Sequence, residues 1–261
     1  MKNTREETKK NPKRKKRSRR GLKVVLTVFL VFALTTGALF GFFYLFPARN
    51  VTVSGSEIYT PAQIIKASGI NSKDNIFLVS KSAVEKHMRQ KLPYVDSINI
   101  ERKMPDGIKI KVRDAVEYAA FKISDKYFAV SERGYVLNIY DAAPDNAIEI
   151  ICPEDSVFCE VGYQTVFEKE SAKANCKELI SLLNDSGIKI NRVDVSNPVS
   201  LTVKIEGRFN VLFGTSADLD KKVAHLAKMC ASIDATKSGK INLSMWTSEK
   251  TEGSFVEGEI E

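Results

Sequence analysis

Twelve basic residues run straight into twenty-three residues without a charge, and that junction limits what this chain can be. Residues 2–23 hold seven Lys and five Arg against Glu6 and Glu7, while residues 24–46 contain no Asp, Glu, Lys or Arg. As a helix the apolar run spans roughly 34 Å at about 1.5 Å per residue, against a hydrocarbon core about 30 Å thick. It is expected to cross a membrane once. A cleaved signal peptide needs a shorter apolar core that ends in small residues. Here Phe42, Phe43, Tyr44, Leu45 and Phe46 stand at that place, and aromatic residues suit a membrane–water interface. Gly37 and Gly41 have the GxxxG spacing that can mark helix–helix contact.

The basic run invites a nucleic-acid reading, which the charge distribution excludes. The first 23 residues net +10 and the whole chain nets +8, so the other 238 residues net −2. Basic residues beside a span stay on the cytoplasmic side. The expected topology is therefore a cytoplasmic tail over 1–23, a transmembrane helix over 24–46, and the bulk outside.

The first outer segment, 48–114, reads as β-α-α-β-β. Val51 and Val53 alternate with polar neighbours before a Ser54-Gly55-Ser56 turn. Thr60-Pro61-Ala62-Gln63 predicts a helix start: Thr as N-cap, Pro at the first helical position, Gln closing a capping box. Ile64 and Ile65 give that helix its buried side and Gly69 its stop. A second helix is expected over 81–91, with a further capping box from Ser82 and Glu85. Its inner face is read as Val84, His87, Met88 and Leu92. Two strands follow, joined at Pro105-Asp106-Gly107. Ile108, Ile110 and Val112 alternate with Lys109, Lys111 and Arg113, so one face is packed and the other wet.

The second segment, 115–247, reads as a strand-rich α+β domain. Strands are expected over 117–123, 127–130, 135–140, 147–151, 190–195, 201–205, 209–213 and 240–246. Helices are expected over 168–183 and 218–232, the second with buried Leu219, Val223, Leu226 and Cys230. Residues 248–261 are acidic and poor in apolar residues, and are expected to be disordered.

Little in the chain points to chemistry. His87 and His225 stand alone. The Cys152-x6-Cys159 spacing fits no common zinc motif, although an outer compartment permits a disulfide there. Cys176 and Cys230 lie on apolar helix faces and read as buried. No GxSxG, HExxH, Walker loop or GxGxxG is present. Neither catalysis nor a cofactor is expected.

Several short motifs, weak singly, act together. Val51-Thr52-Val53-Ser54-Gly55 resembles a "V-x-V-x-G" opening strand, and Leu92-Pro93-Tyr94-Val95 an "L-P-W/Y-V" junction. Residues 100–105, Ile-Glu-Arg-Lys-Met-Pro, resemble "V-x-R-x-x-P". Residues 110–114 resemble "I-x-V-x-E-R", with Arg113 and Asp114 in the Glu-Arg places. Gly134-Tyr135-Val136 resembles "D-x-x-G-x-V/L", with Ser131 for Asp. Val211-Leu212-Phe213-Gly214, Lys222-Val223 and Ile241-Asn242-Leu243 resemble "v-x-L-G", "e-K-L" and the closing "I-D-L". Over about residues 10–247 the chain thus resembles the DivIB/FtsQ family of bacterial cell-division proteins, and its first outer segment an FtsQ-type POTRA domain.

The resemblance implies a non-catalytic scaffold at the division septum. It implies that the scaffold holds the bitopic proteins FtsL and DivIC/FtsB and is linked to septal peptidoglycan synthesis. It also implies that a partner adds a strand at the end of the second domain, using unpaired backbone groups of an open edge. On the predicted strand 240–246 the expected contacts are Ser244, Met245, Trp246 and Thr247. Met245 and Trp246 otherwise complete the domain's own core. The competing reading is a POTRA-bearing chaperone or transport component of the envelope. Such proteins usually repeat the module and carry a barrel, and neither pattern is present here.

Overall fold

The computed structural model describes residues 19–153, 156–246 and 253–258. Helix α1 covers Arg19–Leu45, and its window Gly21–Phe42 is long and apolar enough to cross a membrane. None of that window is buried against protein. A helix in lipid must satisfy its polar groups internally. Thr27 and Thr36 do so by donating to the carbonyls of Lys23 and Phe32, four residues back, and Thr35 donates to Phe32 as well. Among the described residues the helix already includes Arg19 to Lys23, ahead of the apolar run.

The next module has the expected order: β1 (Asn50–Ser54), α2 (Pro61–Ser68), α3 (Lys81–Lys91), β2 (Val95–Lys103) and β3 (Gly107–Asp114). The β3 strand lies centrally, parallel to β1 and antiparallel to β2. Ile108, Ile110 and Val112 point into a core with Ile64, Ala67, Val84, Met88 and Leu92 from the two helices. The Thr60–Gln63 capping box forms as expected, and Gly69 ends α2 in the left-handed region. Gly55 has a distinct reason: at φ 99° its absent Cβ would stand 2.3 Å from the Val112 carbonyl oxygen. Only glycine lets β1 leave the sheet this close to β3.

Two details of α3 differ from expectation. Its N-cap is Ser80, which accepts from Ala83 N. Glu85 pairs with Arg89 instead of closing a box, because Arg89 lies one turn on. His87 is exposed, while Arg89 is buried in the place an apolar residue would normally fill.

The second domain is built on one nine-stranded sheet. Its strands are β4 (Ala119–Ile123), β5 (Lys126–Val130), β6 (Val136–Tyr140), β7 (Ile148–Ile151), β10 (Ile190–Asp194), β11 (Leu201–Ile205), β12 (Phe209–Gly214), β13 (Gly239–Asn242) and β14 (Ser254–Glu257). They lie in the order β14-β13-β12-β11-β10-β7-β4-β5-β6. A small hairpin, β8 (Val157–Phe158) with β9 (Val166–Phe167), stands apart. Helices α4 (Glu170–Asp185) and α5 (Leu219–Ser232) supply Cys176, Leu179, Leu183, Leu219, Val223, Leu226 and Cys230 to the core. These pack on Val193, Val203, Phe209, Val211 and Phe213 of the sheet. The four cysteines are free thiols.

The end of the chain differs most from the sequence reading. The predicted strand over 240–246 stops at Asn242. Its side-chain oxygen accepts from Ser244 N and Oγ at 2.9 and 2.8 Å, an Asx turn that bends the chain away. The tail expected to be disordered over 248–261 contains a strand, β14. Gly239 to Asn242 pair antiparallel with Glu257 to Ser254, and Phe255 meets Phe209 edge-on at 5.9 Å. One aromatic residue in an acidic tail is enough to anchor it. The rest of that tail, 248–252 and 259–261, lies outside the described residues.

Candidate docking edge

With β14 in place, the sheet ends at one side in a strand whose outer backbone groups pair with no other described strand. It is short, and its outward side chains include exposed Val256. One close backbone approach sets it against β13. The absent Cβ of Gly239 would stand 2.2 Å from the Val256 carbonyl oxygen, so only glycine admits β14 here. Just before β14, Gly253 faces the side-chain ends of Leu243, Met229 and His225 at 2.8 to 3.3 Å from where a Cβ would stand. Lys237 and Glu257 add an exposed ion pair at 2.9 Å, which contributes little.

The four residues expected to make the contact separate into different roles. Met245 is 75% exposed at the tip of the turn, and Ser244 is half-buried. Trp246 is 7% exposed and belongs to the core, tilted against His225 at 6.2 Å, with Nε1 unpartnered among the described residues. Thr247 lies outside the described residues. The Asx turn brings this difference about: it lifts Met245 out and turns Trp246 back under α5.

Lys222 fixes the neighbouring loop from within. Almost fully buried, it donates through Nζ to the carbonyls of Phe213 and Thr215 at 2.9 and 3.0 Å. Burial lowers its pKa, with Asp218 opposing that shift. The loop it holds carries Gly214, whose Cβ would stand 3.0 Å from Ser244. The lysine thus braces the turn that presents Met245.

A second polar constellation joins the two domains. Arg89 donates to the carbonyls of Val95 and Asp96 and to Glu85, and its guanidinium lies 4.2 Å from the centre of the Tyr135 ring. Arg133 of the second domain donates to Asp96 O at 3.0 Å. Glu117 accepts from Tyr94 at 2.6 Å and from Tyr140 at 2.7 Å, one phenol from each domain. Burial first, then these bonds, raise the Tyr94 pKa well above the usual range. A cleft of about 570 Å³ opens beside Lys81, Lys86, Gln90 and Gln164. Its charged floor, Glu85 and Arg89, is already mutually paired. The sequence hides this junction, because Arg89 looks like an ordinary surface residue and its partners lie up to 46 positions away.

Burial pushes the Cys152 and Cys176 thiols up to about 12 and Cys159 and Cys230 to about 11, the opposite of an activated nucleophile. Among the described residues no three of His, Cys, Asp or Glu are grouped to hold a metal.

Comparison with known proteins finds similarity in the first outer module and along much of the chain. Residues 46–114 match the model of the POTRA domain, FtsQ-type. The chain is 26% identical to the cell division protein DivIB of Clostridium tetani over 205 residues, 76% of each chain. It is 24% identical to DivIB of Clostridium botulinum strain Hall over 220 residues, 80% of this chain and 81% of that one. The cell division protein FtsQ of Streptomyces coelicolor is 31% identical over 96 residues, 37% of this chain and 36% of that protein.

Proposed function

We propose that the chain, which is similar to the DivIB and FtsQ cell-division proteins, is a non-catalytic scaffold of the septum in the DivIB/FtsQ family. In this reading α1 anchors it with the basic tail in the cytoplasm and both domains outside. The second domain then holds FtsL and a DivIC/FtsB-type partner and so supports septal peptidoglycan synthesis. One observation carries the reading: the open sheet edge at β14, beside the exposed Met245. An edge strand with unpaired backbone groups accepts a partner strand by the same bonds that build the sheet, and alternate side chains select which partner. The contact expected over Ser244 to Thr247 therefore moves outward. Met245 and Val256 present side chains to the partner, Ser244 shapes the turn, and Trp246 supports it from the core.

The test uses the purified chain and the outer segments of the two candidate partners. Met245→Asp and Val256→Asp change exposed positions and should leave the circular dichroism unchanged. Binding of the DivIC/FtsB-type segment should weaken at least tenfold in each. Full affinity in both folded variants removes the docking edge from the proposal.

A further inference from the structure

No free linker separates α1 from the first outer module. Ala48 N donates to Asp74 O at 2.7 Å and Ile76 N to Phe46 O at 2.9 Å, so the exit strand is zipped to the loop 71–80. Asn75 Nδ2 reaches back to the Phe42 carbonyl in the last turn of α1, at 2.6 Å. The rings of Phe42, Phe46 and Phe77 meet at 5.1 to 5.9 Å. From the other side, Arg102 of β2 donates to the carbonyls of Ile76 and Val79 at 2.8 and 3.2 Å. The loop is held on two sides, yet it leaves Phe77 40% and Leu78 59% exposed.

A second loop ends at the same place. The β2–β3 hairpin is tied to the start of β1 by Asn50 N to Asp106 O and Asn50 Nδ2 to Asp106 Oδ2, both at 3.0 Å. Its tip carries Met104, 68% exposed. Isolated exposed apolar residues mean little. Here three, from two loops, lie at the end of the module where an apolar helix leaves it, together with exposed Arg49, Lys73 and Lys103.

We propose that this end of the module is a membrane seat. Phe77, Leu78 and Met104 enter the headgroup–acyl boundary of the bilayer face from which α1 emerges, and the three cations face anionic headgroups. The seat rests on the reading that α1 spans the bilayer. Its occupant is the lipid surface itself, since the apolar surface of α1 continues into Phe77 through the ring cluster. The module is then fixed against the membrane by a helix and two loop tips.

The chain's single tryptophan makes the test direct, because Trp246 is buried in the distant domain. The full chain is reconstituted into phosphatidylethanolamine–phosphatidylglycerol vesicles, with or without lipids brominated near the headgroup end of their acyl chains. Leu78→Trp and Met104→Trp each add one exposed fluorophore at the seat. Val116→Trp adds one at the opposite end of the module. Brominated lipid should quench more than half of the added emission in the first two and leave wild type and Val116→Trp unchanged. Equal emission from all three variants, in protein that floats with the vesicles, overturns the seat while keeping the anchor. Protein that fails to float overturns the anchor and the seat together.

Discussion

Gly239→Ala separates two ways in which the sheet can meet a partner. The φ of Gly239 lies outside the left-handed region, so alanine is comfortable in its own backbone. The new Cβ stands 2.2 Å from the Val256 carbonyl oxygen. An ordinary contact needs about 3.5 Å, so β14 has to retreat by about 1 Å. Hydrogen bonds of 2.7–3.2 Å do not survive that displacement. Each contributes about 1 kcal/mol net, so losing three of them costs about 3 kcal/mol locally, or roughly 100-fold in an opening equilibrium. The bond from Gly239 N to Arg208 O at 3.0 Å, on the other side of β13, stays intact. Amide hydrogen exchange should therefore show protection collapsing over residues 254–257 by up to about 100-fold, with β11 and β12 unaffected. If a partner adds to the outer edge of β14, its affinity falls at least tenfold. If the partner pairs with β13 and β14 merely covers it, affinity rises. Unchanged protection at 254–257 refutes the steric reasoning.

Three further outcomes follow from the core and the junction. Trp246→Ala should cost about 3–5 kcal/mol in urea unfolding, as truncation of a buried aromatic does, whereas exposed Met245→Asp should cost under about 0.5 kcal/mol. Arg89→Met takes the Arg89 donor from the Val95 carbonyl and Glu85 and leaves the Asp96 carbonyl with Arg133 alone, and should cost about 3 kcal/mol. The low end of the range for breaking a buried pair applies because Arg133 remains 3.9 Å from Glu85. A loss below about 1 kcal/mol would remove Arg89 from the junction's energetics. Tyr94 titrates above its unfolded value, so the folded chain holds that proton more tightly. The stabilisation is complete below about pH 10 and falls as pH rises beyond it. The melting temperature of wild type should therefore drop more steeply above pH 10 than that of Tyr94→Phe.

The elements written in local pattern could be read before the fold was known. Alternation at Ile108, Ile110 and Val112 and the Thr60–Gln63 cap specify their strand and helix within a few residues. The order of nine strands could not be read, because β7 joins β4 to β10 through partners far apart in sequence. Arg89 was missed because charge normally means surface, and its burial is made possible only by acceptors on β2 and a ring on the second domain. The β14 strand was missed because the tail around it is rich in Glu, at 249, 252, 257, 259 and 261, while Phe255 decides its place. The Asn242-x-Ser244 signal for the turn was present, but the apolar pair Met245-Trp246 outweighed it and extended the predicted strand.

The paired phenols on Glu117 and the buried Arg89 have a consequence for reach. A hinge there would let the sheet edge sweep through many heights above the membrane. A bonded joint turns the molecule into a gauge instead. Under the proposed docking, a single-span partner must present its own strand at one particular distance from its own membrane helix. Selection among single-span neighbours can then rest on the length of their outer stalks as well as on side-chain chemistry.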